Sequence, residues 1–474
     1  MTSPTDQTFD VIVLGAGPAG EVAAGRLADG GLRVAVVERE LVGGECSYYG
    51  CIPSKTLIRP GDVLAAARRV PGAASAVTGS VDAAAVLAWR DEQTGGWDDA
   101  GALPWLESKG ITLVRGQGRL DGVRRVVVTG ADGDVVRLTA DRAVVLATGT
   151  SPALPPVPGL ADAAPWDNRD VTAMKAVPRR LLVLGGGAIG VEMAQAVRRL
   201  GADEVTVVEA GPRLLGREEP FAGAQVEAAF RAEGIRVLTG VRMASVTRDG
   251  TDGPVRATTS TRDELVADEV LVAAGRRPAA GDLGLPTVGL PPDRFVQVDD
   301  RLRAVGVDGV NGLNCDWLYA VGDCNGRAPL THMGKYQARI AADVILGKDI
   351  RDRSSLDVVP RVTFTDPQVS AVGLTSMQAS ERGLQVRTVE YGTGEVAGAS
   401  THGRDAGGTS LLVVDEDSRR IVGATFTGSD TQELLHGATI AISARVPLDE
   451  LWHAVPAFPT VSEVWLRLLE TYGL

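Results

Sequence analysis

Residues 11–38, VIVLGAGPAGEVAAGRLADGGLRVAVVE, decide how this chain folds. An apolar strand runs into GAGPAG with Gly15, Gly17 and Gly20, an alanine-rich helix follows, and a second apolar strand closes on Glu38. Glycines at these spacings permit a tight turn and a close approach of backbone to ligand. The helix N-terminus attracts a pyrophosphate, and a carboxylate about 20 residues on suits ribose hydroxyls. The stretch therefore predicts a dinucleotide-binding βαβ unit.

The same layout returns further along as LLVLG, then GGGAIG with Gly185, Gly187 and Gly190, the helix VEMAQAVRRLG, and VTVVE ending at Glu209. Two such units imply two nucleotides, and an enzyme with two dinucleotide sites commonly passes a hydride between a nicotinamide and a flavin. Glu209 would repel a 2′-phosphate, so NADH is expected over NADPH, with Arg213 nearby working in the opposite sense. Between the copies, AVVLATG (143–149) is a strand closing on Ala147, Thr148 and Gly149, followed by the proline-rich SPALPPVPG, which reads as a domain crossover. VLVAAGRRP (270–278) repeats that exit around Gly275, and LYAVGD (318–323) brings Gly322 and Asp323 to a strand end where the acid would meet a cofactor.

The 474-residue chain is 44% hydrophobic and 23% charged, which is ordinary for a globular protein of several domains. A net charge of −12 opposes binding to nucleic acid or an anionic membrane, and neither is expected as a partner. The polar start MTSPTDQTFD and the lack of any long apolar run lead to the expectation of a cytoplasmic protein. Four cysteines in so large a chain do not make a disulfide scaffold. Cys315 and Cys324 lie far from the other two.

Those two stand in GGECSYYGCIPSK (43–55). Within one regular helix, residues five apart have Cα atoms about 8–9 Å apart, beyond disulfide reach, so Cys46 and Cys51 cannot both sit in a continuous helix and be bridged. Gly43, Gly44 and Gly50 supply irregular backbone, and Pro53 suits the first helical position, which places Cys51 at or just before a helix N-terminus. There the helix dipole and Lys55 favour a thiolate, while Cys46 can swing towards it. A zinc site finds no second pair at ligand spacing, and His332, His402, His436 and His453 are scattered, so no metal is expected. Simple packing of the two cysteines stays open on the residues alone.

With two glycine-rich units and C-x4-C-x-P-S-K assembled, the chain resembles the class I pyridine nucleotide-disulfide oxidoreductases: lipoamide dehydrogenase, glutathione reductase and mercuric reductase. The resemblance implies an α/β fold with two Rossmann-like dinucleotide-binding domains and a C-terminal α+β dimerisation domain. The implied boundaries are 1–152 (FAD, first part), 153–278 (NAD(P)H), 279–355 (FAD, second part) and 356–474 (dimerisation). It further implies FAD at the first unit, NAD(P)H at the second, and a homodimer whose tail completes the partner's site. Cys51 would be the charge-transfer thiol, Cys46 the interchange thiol, and Asp323 a ligand of the flavin's ribityl chain. Gly44 and His332 would lie along the flavin, and Lys55 beside flavin N5, ion-paired with Glu192.

The tail departs from that pattern. Disulfide-reducing members carry His-Pro-Thr-x-x-Glu, whereas this chain has PAFPTVSE with Phe458 in place of the histidine, Glu463 retained and Pro456 where a second histidine is usual. A phenyl ring accepts no proton, and losing a positioned acid/base costs about 10²- to 10⁴-fold. Glu45 stands where Thr is usual. Tyr48, in SYY (47–49), is a candidate proton donor or pocket wall, with packing as the plain alternative, and His453 a candidate substitute base. The C-terminal vicinal cysteines of mercuric reductase are absent from LLETYGL. The expected function is an FAD-dependent, NAD(P)H-linked dithiol/disulfide oxidoreductase acting through Cys46 and Cys51 on a non-standard small disulfide or dithiol. The alternatives are a reductase of quinones or soft metal ions, and a flavoprotein subunit docking on a larger complex. Residues 72–110, which include WRDEQTGGWDDAG, receive no assignment from their pattern.

Overall fold

A computed structural model describes residues 5–251, 253–306, 316–353 and 358–474; Cys315 lies outside them. The chain divides into two compact units, each assembled from three segments: 1–52, 91–152 and 276–355 in the first, and 53–90, 153–275 and 356–474 in the second.

Among its described residues the first unit is built on a seven-stranded sheet. Thr5–Leu14 lies between Val34–Glu38 and Val135–Leu146, parallel to both, and Thr112–Arg115 extends the row beyond Val34–Glu38. The long Val135–Leu146 strand has a divided far edge. Its first half pairs antiparallel with Arg125–Thr129, and its last residues pair parallel with Leu318–Ala320. Val11, Ile12 and Val13 are fully buried, as are Val144, Val145 and Leu146, because helices cover the sheet and both strand faces must be apolar. The Pro18–Asp29 and Thr331–Ile345 helices join this core through Ala23, Ala24, Leu27, Ala338, Ala341 and Ala342. Small side chains here allow close helix approach.

Residues 91–110, the later half of the segment without a sequence assignment, belong to this unit and brace it. Asp99 accepts hydrogen bonds from the Val42 amide at 2.7 Å and from Arg115 at 2.5 Å, and Trp97 Nε1 donates to the Tyr48 carbonyl at 3.2 Å.

In the second unit a parallel sheet runs Arg236–Thr239, Glu204–Glu209, Arg180–Leu184, Glu269–Val272, followed in sequence from the first of these by a three-stranded meander at 243–267. The C-terminal part adds a five-stranded sheet containing the antiparallel pair Thr409–Asp415 and Arg420–Gly428, the hairpin expected from SLLVVDEDSRRIVGATF. Helices Thr431–Ser443 and Glu463–Tyr472 bury Leu434, Leu435, Val464 and Leu468 against it.

A charge cluster within this unit titrates unusually. Arg199 donates to Asp62 at 2.8 Å, to Glu233 at 2.6 Å and to Asp366 at 2.8 Å. Burial nevertheless pushes the Asp62 carboxyl up to about 6, with Arg199 opposing. An ordinary aspartate titrates near about 3.9, so the folded chain holds this proton more tightly than the unfolded one. The resulting stabilisation is fully present below about pH 4 and is lost as pH rises through about 6. Between pH 5 and 7 the unfolding free energy is expected to fall further in wild type than in Asp62→Asn, by about 1 kcal/mol. Urea titrations of both proteins at the two pH values check this, and parallel behaviour would refute it.

Candidate redox and dinucleotide site

The two glycine-rich loops are superimposable in their constraints. Gly15 has φ +98° and a Cβ there would lie 2.5 Å from the Ala147 carbonyl oxygen; Gly185 has φ +115° with the same 2.5 Å to Ala273. Any side chain at either position meets rigid backbone, so the sequence at these points is dictated by geometry. Gly17 and Gly187 cap their helices with no side-chain partner, leaving the first amides of each helix directed outward, as an anion site requires. Glu38 accepts from the Ala16 amide at 2.7 Å, and Glu209 from the Gly186 amide at 2.6 Å, so each carboxylate is fixed beside its own loop.

Around the first loop the structure fits a bound dinucleotide. Thr148 Oγ1 is buried with no hydrogen-bond partner among the described residues, an orphaned polar atom that a ligand would satisfy. Gly149 has φ +71° and open space on its Cβ side, and Gly44 packs on Gly17. Gly322 donates its amide to Gln337, and Asp323 accepts from Thr150 Oγ1 at 3.1 Å. Burial raises the Asp323 pKa, with the Arg276 cation opposing. His332 lies exposed in the first turn of its helix, and Gly275 precedes Arg276 with φ +130°.

Cys51 begins the Cys51–Arg69 helix, two residues ahead of Pro53, while Cys46 stands in a short helix, Gly44–Tyr48, rather than on an irregular approach. The break between the helices releases the pair from the spacing of a continuous helix. Both are free thiols, and Cys46 hydrogen-bonds to Cys51. That bond, followed by burial, raises the Cys46 pKa above the usual thiol range. Thr331 Oγ1 lies 3.3 Å from Cys51 Sγ, and Thr331 and Lys335 both act on Cys46 in the opposite direction. Neither residue drew notice in the sequence; the only signal was their adjacency to His332 in LTHMGKY. Cys324 is fully buried, donates to the Val321 carbonyl, and is pushed up to about 12 by burial, which makes it inert.

Tyr48 is placed for packing. Its ring is 7% exposed and its hydroxyl donates to the Val42 carbonyl at 3.1 Å, while burial raises its pKa. A phenol committed in this way is a poor proton donor.

Within the second unit, Lys55 Nζ donates to Glu192 at 2.7 Å, and Glu192, 5% exposed, also accepts from the Phe364 amide at 2.9 Å. The Lys55 ammonium sits 4.7 Å from the Phe364 ring centroid. In the tail, Phe458 is 75% exposed. Glu463 is buried and accepts from Arg467 at 2.8 Å and from the Ala397 amide at 3.3 Å, so its carboxylate persists with a cation as partner. No described helix is long and apolar enough to cross a membrane.

Comparison with known proteins agrees with this arrangement. Residues 9–338 match the pyridine nucleotide-disulphide oxidoreductase family, and 359–468 match the dimerisation domain of the same group. The dihydrolipoyl dehydrogenase of Mycobacterium tuberculosis is 33% identical over 459 residues, 96% of each chain. The mercuric reductase of Shigella flexneri is 33% identical over 461 residues, 96% of this chain and 78% of that one. Among solved structures, LpdA from Mycobacterium tuberculosis superposes with a TM-score of 0.84 at 26% identity, covering 99% of this chain and 100% of that one. The HOCl-induced flavoprotein disulfide reductase RclA from Escherichia coli, as its Cu(II) complex, gives 0.84 at 25%, covering 98% and 99%. With α/β dinucleotide units, a paired cysteine helix start and a dimerisation domain in one chain, this protein belongs to the class I pyridine nucleotide-disulphide oxidoreductases, a family of flavoprotein enzymes that bind FAD and a pyridine nucleotide.

Proposed function

We propose that the chain is a homodimeric FAD enzyme that couples NADH to a small disulfide or dithiol through Cys46 and Cys51. The observation that carries this reading is the hydrogen-bonded thiol pair at the start of the Cys51–Arg69 helix, with a hydroxyl 3.3 Å from the second sulfur. FAD, when bound, supplies the two-electron link between the nicotinamide and the disulfide. Gly15, Gly17, Gly20, Glu38, Gly44, Thr148, Gly149, Gly322 and Asp323 would hold it, and Gly185, Gly187, Gly190 and Glu209 would hold the nicotinamide nucleotide.

In the reductive direction Cys46 Sγ attacks one sulfur of the substrate disulfide and the first substrate thiol departs. Cys51 Sγ then attacks Cys46, releasing the second thiol and closing the Cys46–Cys51 bridge. Two electrons and one proton from NADH, with one proton from solvent, reopen it. Because the Cys46 pKa is raised and Phe458 offers no base, a substrate whose leaving thiol is acidic needs the protein's help least. Arg213 supports NADH over NADPH: it donates to the Gly216 and Glu218 carbonyls, which ties it to the following loop. The exposed Val455 and Phe458 support a dimer, since apolar tail residues of this kind suit burial against a second copy.

An anaerobic titration of the holoprotein tests the reading. Uptake of two hydride equivalents from NADH per FAD, with two new thiols appearing, is expected. Uptake of one equivalent with no new thiols would overturn it, and saturation at lower NADPH than NADH would overturn the nucleotide preference. The missing base favours a second reading, in which quinones take electrons without the cysteine pair, or soft metal ions take them through Cys46 and Cys51.

A further inference from the structure

Arg276 stands at the start of Arg276–Pro278, a short strand paired antiparallel with Thr150–Pro152. Its guanidinium makes bonds of different kinds. Nε donates to Thr150 Oγ1 at 2.6 Å, Nη2 donates to the Thr150 carbonyl at 2.9 Å, and Nη2 also forms an ion pair with Glu45. A hydroxyl has one hydrogen, and Thr150 gives its own to Asp323 at 3.1 Å, so the chain of bonds has a fixed direction from cation through hydroxyl to carboxylate. One arginine thus serves two carboxylates: Asp323 through the threonine, and Glu45 directly.

Glu45 is the residue before Cys46 and lies in the first turn of the Gly44–Tyr48 helix. Both partners are about three-quarters buried, at 23% and 26% side-chain exposure. A charge held there is screened less than one in open solvent. Since the resemblance leads to Thr at this position, the ion pair is a feature of this chain's own residues.

We propose that Glu45 and Arg276 are positioning residues for Cys46 that hold its helix on the Thr150 strand and set the balance between the bridged and reduced cysteine pair. This deepens the relay reading and rests on it. With Arg276 removed, a positive charge is lost beside the Cys46 helix while Glu45 stays, thiolate is disfavoured, and the bridge gains. With Glu45 removed, a negative charge is lost beside the Cys46 helix while Arg276 stays, thiolate is favoured, and the reduced pair gains.

The test equilibrates wild-type holoprotein, Glu45→Gln, Arg276→Gln and the double variant with dithiothreitol buffers. Dithiothreitol gives two electrons and two protons to the bridge, leaving two enzyme thiols and its own cyclic disulfide. Alkylation and peptide mass spectrometry count bridged and reduced Cys46. The bridged-to-reduced ratio is expected to fall about tenfold in Glu45→Gln and to rise about tenfold in Arg276→Gln, equal to about 30 mV in opposite directions for a two-electron couple. The double variant is expected within about threefold of wild type. Shifts of the same sign, or single variants matching wild type, overturn the proposal and leave the relay standing. Glu45→Thr, which removes the charge with a smaller side chain, checks that the shift follows charge if Glu45→Gln folds poorly. A wild-type protein that never forms a Cys46–Cys51 bridge overturns the relay and the proposal together.

Discussion

Replacing Cys46 with serine is expected to cut disulfide or dithiol turnover by more than about 10³-fold, because the attacking sulfur and half of the storage bridge go with it. Serine keeps the size and hydrogen-bonding capacity of the site but cannot take part in exchange at neutral pH. FAD retention should be unchanged, since the glycine loop, Glu38 and Asp323 are untouched. The same variant assayed with a quinone separates the two functional readings. Turnover of the quinone at the wild-type rate alongside loss of disulfide turnover supports the relay, whereas an undiminished disulfide rate would remove Cys46 from the mechanism.

Phe458→His is expected to raise dihydrolipoamide turnover by about 10²-fold or more, the lower range for introducing a positioned acid/base. The tail keeps Glu463 of the His-Pro-Thr-x-x-Glu pattern, but its carboxylate is bonded to Arg467. The gain should therefore grow when Arg467→Gln is added, because the carboxylate is then available to the new imidazole. A bell-shaped pH profile with an acid limb near the histidine range, absent from wild type, would mark the introduced group. No gain in either variant would mean that the tail does not reach the thiols, and that Phe458 is not standing in for a base.

The legible part of the fold was the part where backbone geometry forbids alternatives. Gly15 and Gly20, with Gly185 and Gly190, are readable because their Cβ positions are filled by backbone atoms, and a one-letter sequence records such a constraint directly. The break between Cys46 and Cys51 was readable for the same kind of reason, although the helical turn around Cys46 was not. Lys55 with Glu192 came through resemblance alone, since nothing in their separation along the chain brings them together. What stayed hidden were contacts that depend on where a remote segment returns. Asp99 and Trp97 brace the cysteine turn from a polar stretch with no periodicity, and Arg276 meets Glu45 across 231 positions. Tyr48 was ambiguous in sequence because a tyrosine offers both an apolar ring and a hydroxyl, and only the Val42 carbonyl decides between the uses.

The divided edge of the Val135–Leu146 strand bears on how the protein is made. Its last residues are covered by Leu318–Ala320, and the whole 153–275 segment of the other unit is synthesised in between. At about 5–20 residues per second, a ribosome takes on the order of ten to thirty seconds to deliver the covering strand. Through that interval the nascent chain carries a finished glycine loop beside an open, apolar sheet edge, the kind of edge that invites wrong pairing. That edge is thus formed early and closed late, after the intervening 153–275 segment has been translated.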